Sequence, residues 1–351
     1  MKVLIVDDSV VYRSQIKAAL ETAPWIDVVG VAANGRIAID KIRSLRPDLL
    51  TLDLEMPEMN GIETLREMKT LGLNIKTIVF SSASVKGAEI TLEALNLGAL
   101  DFIPKPGAAE SGVNPQERLK ALLLNKIEEF FSVQASAIRP PVVGSRISLS
   151  NFHSDAIVIG SSTGGPSALE KIFTELKGPF SIPIFIAQHM PPVFTASLAQ
   201  RLEKMCGVPA AEGVHGELVK SNRIYIAPGN YHMTLQRKVS GVYIQLNQNE
   251  QVNSVRPAVD VLFQSAAEVY RSACLGFVLT GMGRDGLTGA EALRASGNPI
   301  VIQNKESCVV FGMPGAVFQA AAYDDIQTLE AITETIRNSV TSAVYQRKGS
   351  A

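Results

Sequence analysis

Cysteine is scarce in this chain: Cys206, Cys274 and Cys308 are far apart and form no C-x-x-C pair. So odd and scattered a set argues against a disulfide frame or a thiolate zinc site, and for packed thiols in a reducing compartment. Charge imbalance is lacking as well. Lys and Arg number 33 against 34 Asp and Glu, a net charge of -1, which gives no general attraction to nucleic acid or to an anionic membrane. No apolar run reaches the length of a membrane span, and the chain opens on a strand with no signal-peptide pattern. A cytoplasmic protein without membrane insertion is the expectation. Histidine is sparse too, at four residues, which narrows the choice of a catalytic base.

What is present is 351 residues, enough for two ordinary domains, with the 46% hydrophobic content of a globular protein. Residues 1–131 alternate strand and helix patterns. Strands are expected at Lys2–Val6, Asp27–Val31, Asp48–Leu52, Lys76–Phe80 and Leu100–Ile103. Helix-period segments lie near Val10–Glu21, Arg36–Leu45, Ile62–Thr70 and Ala88–Leu97, and another runs from Pro115 to Phe131. This alternation predicts an α/β domain, doubly wound, with a five-stranded parallel sheet covered on both faces.

Such sheets hold ligands beyond the carboxyl ends of their strands. Asp7-Asp8 follows the first strand there and Asp53 the third, Ser81-Ser82 follows the fourth, and Pro104-Lys105-Pro106 ends the fifth. Carboxylates brought close repel one another and call for a cation, and an all-oxygen ligand set suits Mg²⁺. With a lysine and a hydroxyl, the cluster can accept and stabilise a phosphoryl group on an aspartate. Acids that only solvate loops or cap helices are the alternative. Acid, hydroxyl and lysine at successive strand ends argue against it.

Val6-Asp7-Asp8-Ser9, Leu52-Asp53-Leu54-Glu55-Met56-Pro57, Asn60-Gly61 and Lys105-Pro106 carry a resemblance to the receiver domain of response regulators, over about residues 1–125. That resemblance implies that Asp53 takes a phosphoryl group from a histidine kinase. It implies that Asp8, Asp53 and the backbone carbonyl of Glu55 bind Mg²⁺, with Asp7 assisting. Lys105 would contact the phosphoryl group and Ser81 would be the hydroxyl switch, with Ser82 and Ser84 close by.

Residues 132–153 break the pattern with Arg139-Pro140-Pro141 and Gly144-Ser145, and read as an interdomain linker. A second α/β domain, mostly parallel and Rossmann-like, is expected over 154–347. Its first strand, at Ala156–Ile159, enters Gly160-Ser161-Ser162-Thr163-Gly164-Gly165-Pro166, with a helix pattern after it. Gly160-x-Ser162-x-Gly164 has the G-x-S-x-G spacing of a nucleophile elbow. A glycine-rich loop that only packs tightly or cradles a phosphate fits the same residues.

A second strand, Ile182–Ala187, ends at Gln188-His189, and another, Leu275–Thr280, runs into Gly281-Met282-Gly283-Arg284-Asp285-Gly286. Serine, histidine and aspartate at the ends of three strands can meet at one sheet edge. There an imidazole activates the hydroxyl and a carboxylate orients the imidazole. The chain order Ser, His, Asp differs from that of α/β-hydrolases, but geometry and not order defines a triad. A loop histidine and a helix-capping aspartate are the plainer readings. His153 lies at the linker edge, His215 in a polar loop and His232 within a hairpin, so all three compete poorly. Strand patterns at Arg223–Ile226, Thr234–Lys238 and Val242–Leu246 suggest an antiparallel hairpin excursion. Cys308, among apolar neighbours, reads as a packed, inert thiol.

From about residue 154 to 345 the chain resembles the catalytic domain of chemotaxis protein-glutamate methylesterases. The match is carried by 159–165, Gln188-His189-Met190-Pro191-Pro192, Ala227-Pro228-Gly229, Arg256-Pro257-Ala258-Val259-Asp260, 279–286 and 307–314. The resemblance implies Ser162 as nucleophile, His189 as base and Asp285 as orienting acid, with no metal needed for hydrolysis. The backbone amides of Thr163 and Met282, in the two nearest tight turns, are candidate oxyanion donors. Ser161 and Arg284 depart from the residues common in the family, and Arg284 puts a cation beside the acid.

Methylated chemoreceptors would be the substrate, a chemotaxis-type kinase the phosphodonor, and selected receptor glutamines would be deamidated. An unphosphorylated receiver is expected to restrain the hydrolase. A DNA-binding output would need a basic helix-turn-helix, which is not evident, and a nucleotide-binding one lacks a Walker lysine.

Overall fold

A computed structural model describes residues 1–105, 114–132, 147–149 and 152–348. Most of the expected linker, and Pro106, lie outside the described residues. The chain divides into two compact units, one within 1–135 and one within 136–351.

In the first unit the elements run β1 (Lys2–Val6), α1 (Val10–Leu20), β2 (Asp27–Ala32), α2 (Gly35–Leu45) and β3 (Leu49–Asp53). They continue as α3 (Gly61–Thr70), β4 (Lys76–Ser81), α4 (Val85–Asn96), β5 (Asp101–Pro104) and α5 (Pro115–Ser132). The sheet order is β2-β1-β3-β4-β5, every pair parallel. β3 is buried throughout, as a strand covered on both faces must be.

Local chemistry starts the helices. The side chains of Ser9, Asn34, Asn60 and Ser84 each accept a backbone N–H from the helix that follows, and Asn60 with Glu63 completes a capping box. The Ser84 cap starts α4 three residues before the expected Ala88.

The second unit runs β6 (Ala156–Ser161), α6 (Gly165–Glu175), β7 (Ile184–Gln188), α7 (Phe194–Cys206), β8 (Ala210–Glu212) and β9 (Ile224–Ile226). Then come β10 (His232–Lys238), β11 (Gly241–Asn247), α8 (Val259–Tyr270), β12 (Cys274–Val278) and α9 (Leu287–Ala295). The last elements are β13 (Ile300–Gln303), α10 (Met313–Gln319), β14 (Asp325–Gln327) and α11 (Leu329–Lys348).

Seven parallel strands form its sheet in the order β14-β13-β12-β6-β7-β9-β8, and β10 and β11 pair apart as an antiparallel hairpin. The Arg223–Ile226 pattern therefore belongs to the main sheet, as β9, and not to the excursion. The aromatic stack of Phe185 on Tyr225, centroids 5.4 Å apart, and buried Phe263 fill the core on the α8 side. α8 lies close on β6: a Cβ at Gly160 would come within 2.3 Å of Val259 Cγ1. Among the described residues no helix is long and apolar enough to cross a membrane.

Both sheets reverse their strand order beside the first strand of the unit. In the first unit the reversal falls between β1 and β3, and in the second between β6 and β12. Crevices form at the carboxyl ends of strands at such points, and the candidate residues of each unit stand there.

Candidate active site

In the second unit three neighbouring strands, β12, β6 and β7, end in the three turns of interest. Ser162 leaves β6 into a turn that Gly164 closes at φ 77°, a left-handed value suited to glycine. The turn is held from both sides. Ser162 N–H donates to Thr280 O (3.1 Å) beyond β12, and Gln188 Nε2 donates to Ser162 O (2.9 Å) from the end of β7. Gln188 Oε1 also accepts the Ser161 hydroxyl at 2.6 Å, and His189 N–H reaches Ser161 O at 3.1 Å. Gly281 admits the serine turn closely, because a Cβ there would lie 2.9 Å from Ser162 Cβ.

His189 Nε2 lies 2.7 Å from Asp285 Oδ2. Oδ2 also accepts Val259 N–H at 2.6 Å. Oδ1 accepts from Asn253 Nδ2 (3.0 Å), Asp260 N–H (3.1 Å) and Gly286 N–H (3.0 Å). The carboxylate thus caps a helix, though not the one that follows it: it serves α8, whose own N-cap, Ala258, has no side-chain acceptor. Burial alone would raise the carboxyl pKa, but the His189 interaction and the backbone donors outweigh it and hold Asp285 below its usual range.

An ionised carboxylate only accepts, so Nε2 donates to it, and in the neutral imidazole Nδ1 keeps its lone pair. Among the described residues that Nδ1 has no hydrogen-bond partner, and the Met282 amide donates to none. Thr163 is buried, and its carbonyl accepts the Thr280 hydroxyl at 3.0 Å. The same hydroxyl receives the amides of Val309 and Val310. Thr280 therefore ties the 307–314 segment to the serine turn. Burial pushes the neighbouring Cys308 thiol up to about 12, which leaves it inert at neutral pH.

In the first unit carboxylate oxygens of Asp7, Asp8 and Asp53 lie within 4.8 Å of one another. Lys105 Nζ stands 3.1 Å from Asp7 Oδ2 and 2.7 Å from Asp53 Oδ2. These two buried oxygens accept no hydrogen bond of good geometry among the described residues. Burial, reinforced by Asp7 and only partly offset by Lys105, raises the Asp53 pKa to about 6. Two buried oxygens short of donors beside an exposed Asp8 suit a hard, partly hydrated divalent cation, so the cluster fits Mg²⁺. The Glu55 amide reaches Asp53 Oδ1 at 3.3 Å. Ser81 is not gathered into the cluster by hydrogen bonding: its hydroxyl donates to Gly87 O (3.0 Å) in the first turn of α4.

Comparison with known proteins bears on both units. The family model for CheB methylesterase matches residues 157–336, and the response regulator receiver domain matches residues 3–114. The chain is 43% identical over 343 residues to a protein-glutamate methylesterase/protein-glutamine glutaminase of Trichodesmium erythraeum, covering 95% of this chain and 97% of that one. The chain belongs to the CheB methylesterase family. A protein-glutamate methylesterase/protein-glutamine glutaminase of Thermotoga maritima is 39% identical over 338 residues, covering 96% of this chain and 97% of its own. The crystal structure of the Thermotoga maritima CheB methylesterase catalytic domain superposes with a TM-score of 0.52 at 41% identity, covering 53% of this chain and 99% of that one.

Beside these family features stand residues to which sequence reasoning gave no role. Tyr12 sits four residues past Asp8, on α1, and the Lys105 ammonium lies 4.9 Å from its ring. Gln188 and Thr280 join the turns, although each was visible only as part of a motif. Asn253 and Asp260 flank the Asp285 carboxylate. The signal for Asn253 was an Asn-Ser pair between two valines, which favours a tight turn but names no ligand.

Proposed function

We propose that the chain is a receiver-governed serine hydrolase that cleaves glutamyl methyl esters, and the amides of selected glutamines, on chemoreceptors. The observation that carries this reading is the 2.7 Å contact of His189 with Asp285, beside a serine turn bonded to the turns that carry both. Ser162 Oγ attacks the ester carbonyl while His189 Nδ1 takes its proton, and Asp285 stabilises the imidazolium. The amides of Thr163 and Met282 receive the negative oxygen of the tetrahedral intermediate. The imidazolium returns its proton to the departing methoxide, releasing methanol and leaving a glutamyl ester on Ser162. Water, deprotonated by His189, then frees the glutamate. A glutamine side chain follows the same course and releases ammonia.

Control comes from the first unit, with Asp53 the residue phosphorylated by a chemotaxis-type histidine kinase. Asp7, Asp8, Asp53 and the Glu55 carbonyl would hold Mg²⁺, which when bound supplies charge neutralisation for the incoming phosphoryl group. Lys105, already paired with Asp53, balances part of the same charge. A tenfold to hundredfold gain in turnover needs a shift of only about 1.4–2.7 kcal/mol between two states of the chain. The direct test is methanol release from a methylated chemoreceptor, by the wild type and by Ser162→Ala. Turnover by the variant close to wild type moves the nucleophile elsewhere.

A further inference from the structure

The Asp285 carboxylate has a like-charged neighbour. Asp260, in the first turn of α8, is 3% exposed and Asp285 2%. Between them stands a single carboxamide: Asn253 Nδ2 lies 2.9 Å from Asp260 Oδ2 and 3.0 Å from Asp285 Oδ1. The two hydrogens of one NH₂ group are thus divided between the two acids. Asp260 Oδ1 is engaged elsewhere, by Gly289 N–H of α9 at 2.7 Å.

The segment carrying Asn253 is built to hold this side chain still. Val252 and Val255 exchange backbone hydrogen bonds of 3.2 and 3.1 Å, and between them Asn253 and Ser254 take φ 53° and 63°. Two successive left-handed residues make the tight hairpin turn in which asparagine is at home. Behind the turn, Arg256 Nη1 donates to Gln248 O and Asn249 O, both at 2.7 Å, and its Nη2 donates to Asn230 Oδ1 at 2.7 Å. Buried His232 closes the loop: its Nε2 meets Glu250 O at 3.0 Å and its Nδ1 accepts Ala258 N–H at 3.3 Å. A histidine that competes poorly as a base thus anchors the strap beside the acid.

We propose that Asn253 is a positioning residue for the hydrolytic site. Its carboxamide bridges Asp260 and Asp285 and fixes the Asp285 carboxylate with Oδ2 on His189. This rests on the serine-hydrolase reading of Ser162, His189 and Asp285 and extends it by one residue. Without the bridge, two buried carboxylates face each other with one donor fewer, and only the backbone amides of Val259, Asp260 and Gly286 are left to hold Oδ2 on the imidazole against the repulsion between the acids. The two acids also titrate apart in the expected sense. Burial and the Asp285 charge raise Asp260, while Asp285, despite burial, is held low by His189 and its backbone donors. The charged groups facing Asp285 are His189 from the turn after β7 and Asp260 from α8; Arg284, its neighbour in the same turn, is exposed.

Two substitutions separate this role from that of a turn residue. Asn253→Gly keeps the left-handed turn and removes the amide. Asn253→Asp keeps the shape and turn preference but replaces the donor by a third carboxylate. The readout is the rate at which a fluorophosphonate probe labels Ser162 in the full chain, measured from pH 5 to 9. It reports activation of the hydroxyl whatever the natural substrate. Asn253→Gly is expected to label about tenfold more slowly at pH 7, and Asn253→Asp about a hundredfold.

In Asn253→Asp the acid limb of the profile moves up by about one pH unit, because added negative charge stabilises the imidazolium. Wild-type rates and profiles in both variants overturn the proposal, and so does an Asn253→Gly variant as fast as wild type beside a slow Asn253→Asp. If the wild-type chain itself is not labelled at Ser162, the serine-hydrolase reading fails first and takes this one with it. Labelling without methanol release from methylated receptor would change the substrate and leave Asn253 in its role.

Discussion

Asp285 receives His189 on an oxygen that also takes the Val259 amide, so one carboxylate both orients the imidazole and caps α8. All five groups around it are donors. An amide in its place must turn an NH₂ toward one of them. Asp285→Asn is therefore predicted to lose activity by a factor on the order of 10³–10⁴, and to lose about 1–3 kcal/mol of stability as well. Methanol release and urea unfolding, run on the same preparation, check both halves. Full stability with lost activity would mean that the cap is dispensable.

Gly281 sets the distance between two turns. A methyl group there would meet Met313 Sδ at 2.3 Å and Ser162 N at 3.0 Å, and the serine backbone has little room to yield. Gly281→Ala should cost about 1–3 kcal/mol and lower fluorophosphonate labelling of Ser162 at least tenfold. Gly213→Ala is the comparison: the added methyl would meet Met233 Sδ and Ile244 side-chain atoms within the second unit, and labelling should stay near wild type.

The buried Asp53 predicts a pH dependence of stability when Mg²⁺ is absent. Its folded-state pKa, about 6, stands above the usual 3.8, so between these values the folded chain holds more protons than the unfolded one. The contribution is present in full below pH 4 and is lost as pH rises through 6. Asp53→Asn removes the cost of the buried charge. In EDTA the variant should melt several degrees above wild type at pH 7.5, and the difference should shrink toward pH 4. A gap that does not change with pH would show that another group is responsible.

The proposed function uses Mg²⁺ in the first unit alone. In the presence of a small-molecule phosphodonor, EDTA should abolish the activation of methanol release while leaving the basal rate within about twofold. Asp53→Ala should behave as wild type does in EDTA. A basal rate that falls with the metal would place a cation in the hydrolytic chemistry.

Strand ends were the most legible part of the sequence. β1 matched its pattern residue for residue, and the turns after β6, β7 and β12 were visible because apolar strands run straight into glycine-rich or polar motifs. α8 was not anticipated as a helix, and the reason is physical. Its start lacks a local cap, and the acceptor comes from Asp285, 26 residues later in the chain. Reading along the chain cannot see a cap supplied through space. β8 and β14, three residues each, are too short for alternation to register. Asn253 was hidden for a related reason: its turn is readable locally, but the acids it bridges come from α8 and from the turn after β12.

The exchange of caps between α8 and α9 also bears on how the chain matures. Asp285, just ahead of α9, closes the start of α8, and Asp260 of α8 reaches back to Gly289 of α9. Asp285 finds the Val259 and Asp260 amides, and Asp260 the Gly289 amide, only where the two helices are docked. In a nascent chain Ser162 and His189 precede the Asp285 carboxylate, so the start of α8 and the orientation of the imidazole both wait on one acid.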